Sequence, residues 1–152
     1  MSRTDVAVRI LPAGPAQVFA AMVDPAALLR WLPPTGMSGR FEHADIRTGG
    51  SFRLVLSYDA AGPGKTTADS DVVEVHILDV VPNDRIVQAI EFVSDDPAFS
   101  GTMYLTWQLT PVGDETQVEI VAEDVPLGIS AQDHAAGMDS SLANLATYLT
   151  GA

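Results

Sequence analysis

Glu74 and His76 stand two residues apart in a β-branched segment, Asp71 to Val81. In an extended chain, side chains at i and i+2 lie on one side, about 7 Å apart. A carboxylate and an imidazole facing an apolar enclosure perturb each other's protonation, which suits acid–base work or anchoring the polar end of a ligand. The alternate residues Val73, Val75 and Ile77 form the other face. The register therefore points Glu74 and His76 either into an enclosure or to water. Gly62-Pro63-Gly64-Lys65-Thr66 resembles the end of a phosphate-binding loop. The first glycine of that motif would fall on Asp59, and a strand-forming segment follows where a helix is needed. It reads as a hairpin loop.

Other reactive groupings are missing. His43, His76 and His134 are scattered without metal-ligand spacing, and there is no cysteine. Neither a metal nor a cofactor is expected. No Gly-x-Ser-x-Gly elbow supplies a nucleophile for covalent hydrolysis, and no Gly-x-Gly-x-x-Gly supports a dinucleotide site. What remains is an apolar set: Trp31, Phe52, Tyr58 and Phe92, with Met103, Trp107, Met138 and Leu142. It reads either as ordinary core or as the wall of a site for a flat or flexible apolar molecule. Arg53 and Arg85 read as surface residues, and Arg47 as a tie between a turn and a nearby carboxylate.

The elements that must carry these side chains are legible from periodicity. Asp5 to Leu11 alternates as a strand closed by Pro12. Pro15 to Met22 and the segment from Asp24-Pro25 to Leu32 read as two short helices, each with proline in its first turn. Strands are predicted over Arg40–Ile46, Ser51–Tyr58, Asp71–Val81, Arg85–Phe92, Thr102–Thr110 and Glu115–Glu123. Short turns between the later strands imply antiparallel pairing. Ser130 and Asp133 resemble a capping box, and Ala131, Ala135, Met138, Leu142, Leu145 and Leu149 form one apolar stripe of a long final helix. Asp139, Ser140, Asn144 and Thr147 mark its polar face. The fold class is α+β, with an antiparallel sheet of six to seven strands curling around that helix.

At 152 residues the chain reads as a single domain, 1–152, able to close a full core. Its formal net charge is −12, and Lys65 is its only lysine. Such a surface repels phosphate backbones and anionic lipid heads, so neither a nucleic-acid partner nor membrane insertion is expected. No long apolar run appears, and the N-terminus carries Arg3 and Asp5 where a leader needs an apolar core. The expected setting is the cytoplasm. Abundant arginine relative to lysine, with much alanine, suggests a GC-rich bacterial source.

The ordered pieces Pro15-x-x-Val18-Phe19, Asp24-Pro25, Trp31 and Asp45-Ile46-Arg47-Thr48-Gly49-Gly50-Ser51-Phe52 resemble the START-like, helix-grip (SRPBCC) superfamily. The branch they are most similar to is that of the C-terminal domain of the heat-shock-protein-ninety ATPase activator. Val80-Val81-Pro82-x-x-Arg85-Ile86, Leu109-Thr110-Pro111-Val112-Gly113-Asp114-x-Thr116 and His134-x-x-Gly137 agree with it downstream. The resemblance implies a long C-terminal helix gripped by a curved sheet around an apolar pocket. Its members bind lipids, sterols, hormones or polyketides, and some are cyclases or hydrolases. This chain departs at Met138, where such proteins usually carry tryptophan, and in its long 59–69 loop.

The expected function is binding of a small apolar molecule between sheet and final helix, with the apolar set as lining and Glu74 and His76 orienting a polar end. Two alternatives stand beside it: a cyclase- or hydratase-like enzyme with Glu74 and His76 as acid and base, and a chaperone-binding module, the latter from resemblance alone. A homodimer is left open.

Overall fold

The computed structural model describes residues 3–58 and 70–151. The hairpin loop read around Gly62-Pro63-Gly64 lies outside the described residues. The chain runs β1 (Asp5–Leu11), α1 (Pro15–Val23), α2 (Pro25–Trp31), β2 (Met37–Asp45), β3 (Ser51–Tyr58) and β4 (Ser70–Val81). It continues through β5 (Arg85–Phe92), a 3₁₀ turn at Pro97–Phe99, β6 (Met103–Val112), β7 (Glu115–Glu123) and α3 (Ala131–Thr150). The strands form one antiparallel sheet in the order β1-β7-β6-β5-β4-β3-β2. This is the α+β helix-grip arrangement, with two short helices after the first strand.

Local chemistry accounts for the element ends. Asp24 accepts the Ala26 N–H at 3.1 Å and starts α2. Ser130 Oγ accepts the Asp133 N–H at 3.0 Å and starts α3, which ends on Gly151 in the left-handed region at φ 74°. The pairing of β2 with β3 shifts between Phe41 and His43, and that of β4 with β5 between Ile77 and Asp79. Bulges of this kind bend and twist a strand, and here they curl the sheet.

The inward face of the sheet carries Phe52, Leu54, Val73, Val75, Ile77 and Trp107, all buried, and meets Trp31 from α2. Trp31 packs edge-to-face on Trp107 at 5.7 Å and donates its indole N–H to the Ala21 carbonyl at 3.0 Å. A buried indole thus gains both a ring partner and an acceptor.

The structure assigns the faces that alternation left open, and it changes one expectation. In β1 the outer face holds Val6, Val8 and Ile10, each about half exposed, while Ala7 and Leu11 point inward. In β4 the alternation holds through Ile77 and the extra residue Leu78 then breaks it: Leu78 is exposed, but Val80 pairs with Ile86 and packs on the core. In α3 the buried stripe is Met138, Ser141, Leu142 and Leu145, whereas Ala131 and Ala135 are exposed. Met138, Leu142 and Leu145 are buried as expected, and Ser141 joins them because the segment after α2 is hydrogen-bonded to that side of the helix. Ser141 Oγ donates to the Leu32 carbonyl at 2.7 Å, Asn144 to the Pro33 carbonyl at 3.1 Å, and the Thr35 N–H donates to Ser140 Oγ at 2.9 Å.

Leu145, with no exposed surface, tests this packing. Leu145→Ala should cost about 2–5 kcal/mol in urea unfolding, while Leu78→Ala, on the wet face, should stay within about 0.5 kcal/mol. Equal losses would contradict the assigned faces.

Candidate functional site

α3 approaches the sheet along β1 and packs on α2 and α1, so the central strands stand away from it. Between them lies a hollow of about 1100 Å³. That slightly exceeds the roughly 300–1,000 Å³ usual for small-molecule sites. β3 contributes Phe52, Leu54, Leu56 and Tyr58, and β5 contributes Ile86, Gln88, Ile90 and Phe92. β6 adds Met103, Leu105 and Trp107, while Phe99 and Ile129 come from the loops. Trp31 and Thr35 line the α2 side, and α3 offers His134, Ala136, Gly137, Met138 and Ser141. The α3 wall mixes the small Ala136, Gly137 and Ser141 with the larger His134 and Met138, and the small positions leave space. A Cβ added at Gly137 would meet no atom within 4 Å. Gly128, by contrast, is pressed against Phe99: an added Cβ would sit 2.8 Å from that ring.

Of the residues singled out from sequence, Trp31, Phe52, Tyr58, Phe92, Met103, Trp107 and Met138 border the hollow together. Leu142 does not; it is 1% exposed and packs within the core cluster. Glu74 and His76 are also absent from its wall. Alternation sends Val73, Val75 and Ile77 inward, so Glu74 and His76 fall on the outer face of β4. There Glu74 lies 3.6 Å from Arg53 and 3.4 Å from His43, and Arg53 reaches Glu42 at 3.6 Å. His76 is exposed. Of the two alternatives the sequence left open, the register takes the one that turns Glu74 and His76 away from the hollow. Arg47 pairs with Asp45 at 3.0 Å, and Arg85 with Asp79 and Asp84 at 3.2 and 3.1 Å.

Apart from Tyr58, the polar side chains that reach the hollow were not singled out from sequence as its lining. Gln88 Oε1 accepts the Trp107 indole N–H at 3.1 Å, which leaves the amide NH₂ as a donor. His134, in the first turn of α3, places Nδ1 2.8 Å from Asp5 Oδ2. Arg3 grips the same carboxylate through Nε at 3.2 Å and Nη2 at 3.0 Å. Burial alone would raise the Asp5 pKa; hydrogen bonds from His134 and Arg3, with their charges, outweigh it and hold the carboxyl below its ordinary value. Asp5 and His134 are 129 residues apart, so no spacing motif reveals them. The helical period offers one signal: His134, Met138 and Leu142 lie on one face at steps of four.

A family model described as Activator of Hsp90 ATPase homolog 1-like protein matches residues 12–150. The chain is similar to a solved structure from Chromobacterium violaceum at 30% identity, covering 96% of each chain with a TM-score of 0.85. It is similar to one from Rhizobium loti at 26% identity, covering 97% of this chain and 96% of that one, TM-score 0.73. A Mycobacterium smegmatis structure shares the fold at 16% identity, covering 97% and 91% of the two chains, TM-score 0.77. No curated protein matches.

The Asp5 contacts set a pH dependence. The carboxyl's ordinary pKa is 3.8, and its folded value is lower. Between the two the unfolded chain binds more protons, so the stabilisation is present above about pH 4 and is lost as pH falls through the folded value. Urea midpoints followed from pH 6 to 2 should fall more steeply for the native protein than for Asp5→Asn, which should be less stable at neutrality. Parallel curves would remove Asp5 from the account.

Proposed function

The chain belongs to the Activator of Hsp90 ATPase homolog 1-like family, and on that premise we propose that it binds a small apolar molecule in the hollow between the sheet and α3. The observation that carries this reading is the lining: aromatic, methionine and aliphatic side chains around about 1100 Å³, opposite a helix flank that offers Gly137 and Ser141. Removing apolar ligand surface from water contributes about 25 cal/mol per Å² before ordering costs. The donor of Gln88 and the ring of His134 give such a ligand polar points of attachment. Glu74 and His76, on the outer face, take no part in it.

A second reading has an observation of its own. The family description names a chaperone ATPase activator, and β1 presents Val6, Val8 and Ile10 outward at 52%, 50% and 49% exposure. In that reading the outer face of β1 meets a protein partner and the hollow serves only the fold.

Two experiments separate these readings. Gly137→Phe should project into the hollow and weaken binding of the neutral fluorescent probe N-phenyl-1-naphthylamine at least about tenfold, whereas Gly137→Ala should keep binding and add about 0.5–1 kcal/mol of stability, as alanine does in helices. Unchanged probe binding in Gly137→Phe would reject the hollow as a ligand site. Val6→Thr, Val8→Thr and Ile10→Thr combined should leave probe binding intact; if they abolish stimulation of a chaperone ATPase that the native protein stimulates, the second reading prevails.

A further inference from the structure

The Arg3–Asp5–His134 trio has a direction. Arg3 has only donors, and it takes both oxygens of Asp5. The carboxylate has only acceptor capacity toward His134, so the proton between them sits on Nδ1 of the ring. In the neutral ring Nε2 then carries a lone pair. Among the described residues Nε2 has no hydrogen-bond partner, and the ring borders the hollow. His134 keeps only 13% of its side chain exposed, so the hollow is the main place a partner for Nε2 can come from.

The surroundings select the partner. The charged groups near the ring are Asp5, Arg3 and Asp133, which follows the Ser130 cap at the mouth of the hollow. Arg3 is already neutralised by Asp5, so among the described residues no unpaired cation faces the space, and Asp133 disfavours an anion. The group that suits a lone pair on an apolar wall is a neutral hydroxyl. We propose that His134 Nε2 accepts a hydrogen bond from a hydroxyl of the bound molecule, so that the hollow selects neutral apolar alcohols or phenols over the same hydrocarbon without a donor. This rests on the apolar-ligand reading and names the ligand class for it. Asp5 is a positioning residue: it holds the ring and its proton, and does not touch the ligand.

The test uses 2-naphthol and 2-methoxynaphthalene, which share an apolar body and differ in the donor, titrated by calorimetry. The quantity read is the ratio of their affinities in each protein, which cancels their different hydrophobicities. In His134→Leu that ratio should fall about fivefold to tenfold, the worth of one hydrogen bond, while 2-methoxynaphthalene still binds and thereby reports a folded hollow. Asp5→Asn keeps the ring but reverses its proton. With the amide oxygen at the Oδ1 position Arg3 Nε keeps its bond, the amide nitrogen at the Oδ2 position faces Nδ1 and displaces Arg3 Nη2, and the ring proton moves to Nε2. The ratio should fall there by a similar factor, which a purely structural role of Asp5 would not produce. If both probes bind and the ratio is the same in all three proteins, the hydroxyl anchor is wrong and the apolar site stands. If neither probe binds the native protein, the anchor and the site fall together.

Discussion

Everything in this molecule depends on how a twenty-residue helix is laid against a sheet that curls away from it. α3 can bury only one stripe, Met138, Leu142 and Leu145, and the helix itself packs against β1 and the short helices. A protein interior packed at crystal-like density would fill the remaining space with large side chains from both sides. Here the sheet supplies its share, while α3 offers the small Gly137, Ala136 and Ser141 beside His134 and Met138. The bulges in β2 and β4 keep the wall curved. The edge-to-face contacts of Trp31 with Trp107 and of Phe41 with Phe52, at 5.7 and 5.4 Å, hold its aromatic side chains at fixed angles. The small-residue flank and the braced wall together separate a hollow from an ordinary core.

Charge is partitioned by the same alternation. Twenty acidic residues stand against eight basic ones, and on the outer face the arginines sit among carboxylates: Arg53 between Glu42 and Glu74, Arg85 between Asp79 and Asp84. Exposed pairs of this kind stabilise by at most about 1 kcal/mol each. Their consequence is geometric: polar side chains sit outside β3 and β4, leaving the inward positions to Phe52, Leu54, Val73 and Val75. The outward Val6, Val8 and Ile10 of β1 group three exposed apolar side chains on one strand, while Leu78 and Leu127 are exposed elsewhere.

The fold was legible in the sequence wherever alternation was uninterrupted. Asp5–Leu11, Ser51–Tyr58, Arg85–Phe92 and Glu115–Glu123 begin and end where the period and the turn residues put them. The face of β4 was not, because Glu74 and His76 alternate equally well with valines on either side, and the bulge at Leu78 switches the phase without a glycine or proline to mark it. The α3 stripe was read correctly at Met138, Leu142 and Leu145 and failed at Ala131 and Ala135, because alanines count as apolar in a helical period. Burial instead follows the larger Met138, Leu142 and Leu145, while Ser140, Ser141 and Asn144 are drawn to carbonyls and to Thr35 after α2. Most of the apolar lining was legible, since inward strand positions need no partner to be identified. The Asp5–His134 contact was not: it depends on β1 and α3, the first and last elements, meeting in space.

That contact also bears on why a polar trio stands beside an apolar space at all. Taking a carboxylate and its partners out of water costs several kcal/mol per ion, and the attraction regained often only balances that cost. Apolar residues of similar volume would tie β1 to α3 at least as firmly. A purely structural account therefore leaves the chemistry of the trio unexplained. A functional one does not: a carboxylate fixed by arginine, an imidazole fixed by the carboxylate, and a free ring nitrogen on an apolar wall form a preorganised acceptor. Its orientation is set before any ligand arrives. Inside a low-dielectric hollow, one such acceptor discriminates between ligands more sharply than it would in water.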